Sequence, residues 1–309
     1  MTYAIIADIH GNLPAFKAVL AEAGALGADM YLLLGDYTTC FPWGNEVAST
    51  IRELSQAAVI RGNGEGVFIS YANGQFDLNN EQYKPAYWDY QSQSRENLEY
   101  LMALPETAVV PGLDYDIYLS HAHDITRHAQ AAAYFNARAF RIMMETAPIT
   151  HEEYLVSARE ALLACPEALL DIQSLPKGVH LFGHNHMQFH MEYKERLLVN
   201  PGSCGQALDF DTAAAYTLLV REDNRWTVRE RRVAYDLNEV IEGLHASGFA
   251  DCSPMWSKIF TLELMTGKVY MTPFVMHLLE TGRALGRSEY PVSDEVWHAA
   301  VRTWDSSKP

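Results

Sequence analysis

Tyr3-Ala4-Ile5-Ile6-Ala7-Asp8-Ile9-His10-Gly11-Asn12 is the stretch on which the fold turns. Its five leading apolar residues read as a short buried strand, and polar residues begin where the strand ends. Asp8 and His10 are two apart, so in an extended segment their side chains share a face and reach one ion. Pro14 then opens a helix whose apolar stripe is Ala15, Phe16, Val19, Leu20 and Ala23; proline suits a first helical turn. A strand that carries metal-ligand residue types at its carboxyl end, followed at once by a helix, is the unit of an open α/β sheet, which builds its sites there.

The same arrangement recurs along the chain. Met30–Leu34 runs into Gly35-Asp36, Ala57–Ile60 into Gly62-Asn63, Ile117–Ser120 into His121, and Val179–Phe182 into Gly183-His184-Asn185-His186. Runs apolar on both faces suit a sheet covered on both sides. Asp36 has two oxygens and can join two cations. Asn63 offers an uncharged amide oxygen, and a turn through the alternating His184 and His186 aims them at different ions. Glycine beside the ligands lets the backbone turn and approach closely. Singly these pieces are ordinary turns, since Gly-Asp and Gly-Asn are common turn dipeptides. In this order, at successive strand ends, they spell a two-metal hydrolytic centre.

From Phe189 the pattern changes. Phe189–Tyr193, Leu197–Val199, Ala214–Val220 and Trp226–Val233, joined by polar turns such as Glu222-Asp223-Asn224, read as an antiparallel meander that supplies a second sheet packed on the first. Two stretches interrupt the core: 66–114, rich in tyrosine and tryptophan, and 124–176, helical by pattern. In the latter Thr150 and Glu153 form a capping box, with Ile149 and Tyr154 at the positions of a hydrophobic staple. After Tyr235, Asp236 with Glu239, Ser253-Pro254, Thr272-Pro273 and Ser293 are successive helix starts. The expected organisation is a core over 1–235 and a helical appendage over 236–309.

The bulk properties exclude several classes. Hydrophobic residues at 49% support a sizeable core and exclude a disordered chain. A formal net charge of −16 argues against nonspecific nucleic-acid binding. Four scattered cysteines without CxxC spacing (Cys40, Cys165, Cys204, Cys252) read as reduced, mostly buried thiols of a cytoplasmic protein. The opening apolar run leads straight into Asp8 and is read as a strand, not a leader. No stretch is long and apolar enough to span a membrane.

The ordered set Asp-x-His, Gly-Asp, Gly-Asn, a lone His and Gly-His-x-His resembles the calcineurin-like metallophosphoesterase superfamily. Gly35-Asp36 through Pro42-Trp43-Gly44-Asn45-Glu46-Val47, and Asn200-Pro201-Gly202-Ser203, resemble its bacterial branch of small YfcE-like phosphodiesterases. The resemblance covers residues 1 to about 235 apart from the two interruptions. It implies a four-layer α/β/β/α sandwich with helical insertions and a helical C-terminal appendage. It further implies two divalent transition-metal ions (Mn, Fe, Zn or Ni). Asp8, His10 and His186 would hold the first ion, Asp36 would bridge, and Asn63, His121 and His184 would hold the second. His123 is the alternative to His121 in Ser120-His121-Ala122-His123; its other readings are a substrate-facing acid or an exposed loop histidine. The implied reaction is hydrolysis of a small phosphoester, a nucleotide among the candidates, by in-line attack of a metal-bridging hydroxide. A phosphodiesterase leads, a phosphomonoesterase (protein or nucleotide phosphatase) is the second reading, and a non-catalytic scaffold the third.

One departure stands out. The family's Gly-Asn-His-Asp/Glu piece reads Gly62-Asn63-Gly64-Glu65 here. Gly64 has no proton to give to a leaving group, where general-acid help is typically worth 10²–10⁴-fold. His123 or Glu65 is a candidate substitute. Asn12 lies just before the Pro14 helix and reads either as a phosphate contact at the helix N-terminus or as a helix-entry residue. Arg61 reads as an anion contact or a surface pair. Tyr83, Tyr87 and Tyr90, spaced i, i+4 and i+7, read as a helix packed on the core or as a lid stacking on a base.

Overall fold

Strand β1 (Thr2–Ile6) pairs in parallel with β2 (Met30–Leu33), and β2 in parallel with β3 (Ala57–Val59). The structure, a computed structural model, describes residues 1–75, 80–112, 115–123, 134–147, 149–222 and 225–308. A second parallel set joins β5 (Ile117–Ser120), β6 (Gly178–Leu181) and β8 (Arg196–Pro201). Each set grows by antiparallel strands at its edges. β9 (Ala214–Glu222) and β10 (Arg225–Val233) extend the first sheet to β10-β9-β1-β2-β3. β4 (Thr107–Val110) and β7 (Gln188–Tyr193) extend the second to β4-β5-β6-β8-β7.

Alternation along the strands builds the layers. Tyr3, Ile5 and Ala7 pack with Leu32, Leu34, Ile117, Leu119, Val179 and Leu181 in the seam between the sheets. Ala4, Ile6 and Leu33 point the other way, with α1 (Leu13–Ala25), α2 (Gly44–Glu53), α3 (Asn63–Ala72) and α5 (Arg95–Ala103) supplying Phe16, Val19, Val47, Ile51, Phe68 and Leu101. The outer face of the second sheet is covered by α6 (Ala137–Thr146), α7 (His151–Ala164) and α8 (Pro166–Ser174) through Phe140, Tyr154, Leu162 and Ile172. The result is the expected α/β/β/α order, and it explains why β1 is apolar on both faces and why β6, His180 included, is buried throughout.

The meander divides in a way the pattern does not foretell. Its first hairpin joins the second sheet, while its second hairpin joins the first by β9 pairing antiparallel to β1. The chain crosses at Pro201–Ser203, so the second sheet is not the meander alone but is built on the parallel pair β5–β6. β4, inside the 66–114 stretch, is an edge strand whose short apolar run Ala108-Val109-Val110 stays partly exposed. Asp223-Asn224 of the expected turn, and the insertion boundaries Asp114 and Asp124, lie outside the described residues.

Local signals place the helices. Thr150 and Glu153 form the capping box, and Ile149 and Tyr154 pack in one cluster. Asp236 caps α9 (Leu237–Ala246) by accepting from Asn238 and Glu239. Ser253-Pro254 opens α11 (Pro254–Thr266), and Ser293 precedes α13 (Asp294–Thr303). With α10 (Phe249–Cys252) and α12 (Met271–Ala284), these helices enclose an aromatic cluster of Phe249, Trp256, Phe260, Phe274 and Trp297 that also takes in Cys40 and Phe41 from the loop after β2. Cys40, Cys165 and Cys204 are buried thiols and Cys252 is exposed. No helix among the described residues is long and apolar enough to cross a membrane.

Glu263 of α11 ties this cluster to the core. It is fully buried; one oxygen accepts from the Tyr270 and Met271 amides at 2.7 Å each, and the other from Gln206 Nε2 at 2.5 Å. Burial pushes its pKa up from 4.5 to about 7. The folded protein therefore holds a proton between those values that the unfolded chain has released. The group's stabilising effect is full below the unfolded value and is lost as pH rises through about 7, by roughly 3 kcal/mol for a shift of this size. Glu263→Gln, which cannot ionise, should gain stability on the wild type as pH is raised from 5 to 8. Thermal melts across that range test this; a difference that does not change with pH would refute it.

Candidate metal centre

The carboxyl ends of β1, β2, β5 and β6 and the amino end of α3 meet at one edge of the sheet pair. Backbone hydrogen bonds lace the strand-end loops together. The Asp8 amide donates to Gly35 O (3.0 Å), His10 to Asp36 O (2.9 Å), Gly183 to His121 O (2.8 Å) and Gly205 to Asp8 O (3.0 Å). The glycines are there because the approach is closer than a Cβ allows. A Cβ on Gly62 would lie 2.2 Å from Asp36 Oδ1, and one on Gly183 2.7 Å from Asp8 Oδ2.

The loops are also strained. Asp8 (φ +54°), His10 (+52°), Asp36 (+54°), His184 (+73°) and His186 (+61°) all occupy the left-handed region. For residues other than glycine this costs on the order of 1–3 kcal/mol each and persists only where the surroundings enforce it. The strain falls on five of the seven residues read from sequence as ligands, so it marks the site rather than a random set of turns.

Two donor groups result. Asp8, His10 and His186, all buried, form the first; Asp36, His121 and His184 form the second, with the ligand atoms of each group within 4.8 Å of one another. Asn63 completes the second: its Oδ1 lies 3.0 Å from His121 Nε2 and 2.9 Å from His184 Nδ1. Asp36 Oδ2 stands between the groups, 3.3 Å from His121 Nε2 and 4.0 Å from His10 Nε2.

The imidazoles are pre-set for a cation. His10 Nδ1 donates to Thr38 O (3.1 Å), His186 Nδ1 to Gln206 O (2.7 Å) and His121 Nδ1 to Leu34 O (2.8 Å). A carbonyl only accepts, so Nδ1 carries a proton in all three; in the neutral His10 and His186 rings this leaves the Nε2 lone pair facing inward, whereas Asp36, against the effect of burial, raises His121 to about 10 and keeps its Nε2 protonated as well. His10 Nε2 and His186 Nε2 are 3.1 Å apart. In the neutral rings these are two lone pairs facing each other, which nothing but a shared positive charge reconciles.

Electrostatics lead to the same conclusion. Burial raises Asp8, with Asp36 adding to the rise against the pull of His121. Burial also works against the Asp36 charge, but the charge and hydrogen bond of His121 overcome it and hold Asp36 low. Burial and the neighbouring His10 push His186 down to about 3. Protons alone leave one carboxylate ionised, one driven towards neutrality, and two imidazoles uncharged. Divalent cations suit that donor set, because they compensate both buried carboxylates at once.

The other sequence candidates sort differently. Asn12 takes the helix-entry arrangement: fully buried, it caps α1 by accepting from Ala15 N (3.2 Å), and its Nδ2 donates to Gly205 O and Tyr235 Oη. Glu65 is not an available acid. Its oxygens accept from the amides of Asp36, Tyr37 and Gly62 at 2.8–3.0 Å, so it shapes the β2 and β3 loops. Gly64 spends its N–H on Asp36 Oδ1 at 2.7 Å, and a Cβ there would come within 3.2 Å of that oxygen. His123, half-buried, packs against Phe182 and lies outside both donor groups. Arg61 pairs with Glu106. Tyr87 and Tyr90 pack on Phe68 and Tyr71 of α3, and Tyr83 O accepts from Tyr71 Oη; the aromatic helix α4 (Lys84–Ser92) is packed on the core, as the first of its two readings has it.

Sequence reasoning passed over the supports. Ser203 Oγ donates to Asp8 O (2.7 Å), and Asn200 Nδ2 to Gly183 O (3.0 Å) and Asn185 Oδ1 (2.8 Å). Their signal was present, since Asn200-Pro201-Gly202-Ser203 carried part of the resemblance, but without a role. The Thr38 and Gln206 carbonyls that orient His10 and His186 left no signal, because any residue supplies a carbonyl.

Residues 1–223 match the calcineurin-like phosphoesterase superfamily domain. An uncharacterized protein of Methanocaldococcus jannaschii is 24% identical over 254 residues, 77% of this chain and 90% of that protein. A metallophosphoesterase from Sphaerobacter thermophilus superposes with a TM-score of 0.61 at 23% identity, covering 86% of this chain and 99% of that one. A hypothetical protein from Pyrococcus horikoshii OT3 does so at 0.60 and 17%, covering 87% and 99%. These structures share the fold. Because the family match spans every strand-end loop from Asp8 to His186, the chain belongs to the calcineurin-like phosphoesterase superfamily.

Proposed function

We propose that the protein is a phosphodiesterase that uses two divalent transition-metal ions. The observation that carries this reading is Asp36 Oδ2 lying between two donor groups. It is supported by membership of a superfamily of generally hydrolytic, divalent-metal-binding phosphoesterases.

Asp8, His10 and His186 would hold one ion, Asn63, His121 and His184 the other, with Asp36 shared between the groups. Such ions would supply a nucleophile from water and offset charge on the phosphoryl oxygens; Mn, Fe, Zn or Ni suits the mixed carboxylate, amide and imidazole set. Asn63 and His184 are the exposed members, so substrate reaches the centre from their side. Proton delivery to the leaving oxygen is the weak point. Gly64 has no side chain, Glu65 is enclosed, and His123 is the remaining imidazole close in sequence to the ligands. We assign His123 as the substrate-facing acid. Limited proton donation favours esters whose leaving group departs as a stable anion.

Asp36→Asn removes the charge shared by both groups, and His184→Ala removes an exposed ligand of the second. Both should lose bound metal and lower kcat/KM for an aryl phosphodiester by about 10²-fold or more. Metal analysis with steady-state kinetics checks this. Metal content and hydrolysis equal to wild type in both variants would sink the site assignment and favour a scaffold on this fold.

In Mn²⁺, bis-p-nitrophenyl phosphate should be turned over faster than p-nitrophenyl phosphate. His123→Ala should slow an alkyl ester more than an aryl ester, by about 10-fold or more. Preference for the monoester would replace the diesterase by a phosphomonoesterase, and an equal loss on both esters would remove His123 from proton transfer.

A further inference from the structure

Asp89 is a buried carboxylate on α4, outside the five ligand loops, at 1% exposure. Its Oδ2 accepts from the Thr39 amide at 2.6 Å. Its Oδ1 accepts from Gln93 Nε2 at 2.8 Å and from Ser92 Oγ at 3.3 Å. None of these donors is charged, so the carboxylate is not there to close an ion pair. Room for it is reserved by Gly44, where a Cβ would fall 2.4 Å from Asp89 Oδ1.

The group that Asp89 grips is the peptide between Thr38 and Thr39. A trans peptide is planar, with its N–H and C=O on opposite sides. The N–H belongs to Thr39 and meets Asp89. The C=O belongs to Thr38 and accepts from His10 Nδ1 at 3.1 Å. Thr39 Oγ1 and Cys40 Sγ, at 3.5 and 3.6 Å, lie further from Nδ1. Thr39 has φ +93°, an outlier for a β-branched residue. The Asp89 hydrogen bond thus fixes a peptide that would otherwise relax, and it does so on the side away from the histidine.

We propose that Asp89 is a positioning residue for the first metal ion, acting through the Thr38–Thr39 peptide on the His10 imidazole. The chain of contacts runs from carboxylate to amide, from carbonyl to Nδ1–H, and from Nε2 to the ion. A carboxylate on the N–H polarises the peptide and makes its carbonyl a stronger acceptor, which holds the ring in orientation and raises the basicity of Nε2. Carboxylate partners of ligating histidines do this directly in many metal sites, with losses of 10–100-fold in affinity when they are removed; here one peptide is interposed. The aromatic segment 66–114 is thereby coupled to the metal centre. The inference rests on His10 as a ligand, which is part of the function proposed above.

The test is titration of the metal-free full chain with Mn²⁺ and with Zn²⁺, for wild type, Asp89→Asn and, as a control on the same helix, Gln91→Ala. Asp89→Asn should weaken binding of an ion by about 10-fold or more, leave the other ion within about twofold, and lower kcat more than it raises KM. Gln91→Ala should match wild type. Affinities for both ions in Asp89→Asn within twofold of wild type would overturn the proposal while leaving the phosphoesterase reading intact. A wild type that binds metal but hydrolyses no phosphoester would overturn that reading and leave this one standing. A wild type that takes up no ion overturns both. Should Asp89→Asn fail to fold, the Thr39 amide resonance of the wild type decides. A shift when the first ion binds supports the coupling, and a signal indifferent to metal refutes it.

Discussion

Asp36 and Asp8 are carboxylates placed where a protein can least tolerate them, fully enclosed at the edge of the seam between two sheets. Among the described residues the charged partners beside them are imidazoles, and burial resists the charging of His10, His121 and His186. An uncompensated buried charge is among the most destabilising features a fold can contain. The arrangement therefore makes physical sense around cations, and much of the surrounding structure serves to keep those carboxylates and rings from turning away. Glycines clear space at 35, 62 and 183, Glu65 gathers three amides of two loops, and carbonyls of Leu34, Thr38 and Gln206 lock three rings with Nε2 inward.

Strain follows from the same requirement. The strands stop before the donor residues, so the short loops that follow must turn Asp8 and His10 into one donor group and His184 and His186 into two different ones. Bending the chain through the left-handed region at Asp8, His10, Asp36, His184 and His186 satisfies that geometry at a cost in backbone energy. The cost is met by the double-sheet core, which buries both faces of β1 and holds the loop roots rigid.

The parts outside the ligand loops are not bystanders. Gln206, whose carbonyl orients His186, is gripped by Glu263 of α11, and Phe41 from the loop after β2 lies in the aromatic cluster of the C-terminal helices. α4, which packs on the same C-terminal helices through Trp88 and Phe249, brings Asp89 to the peptide behind His10. Elements that the residue pattern presents as additions thus reach the partners of two residues of the first donor group.

The sequence by itself determined which donor residues stand at the strand ends. A short apolar run followed by Asp-x-His, Gly-Asp, Gly-Asn or Gly-His-x-His is local information, fixed by side-chain alternation and by glycine's small size. It located the parallel strands, the helix caps and the seven donors without tertiary contacts. What it did not determine depends on contacts distant in sequence. Asn12 is polar beside a helix start in either of its roles; its Oδ1 caps α1 locally through Ala15 N, and only the fold shows that its Nδ2 is taken up by Gly205 O and Tyr235 Oη. β4 is too short and exposed to stand alone, and becomes a strand because β5 offers it an edge. The two hairpins part company because β9 finds β1, some 210 residues earlier, as its neighbour. The orienting partners of His10 and His186 are backbone carbonyls that every residue possesses, so their role exists only in the folded chain, where position rather than residue type decides which carbonyl meets which ring.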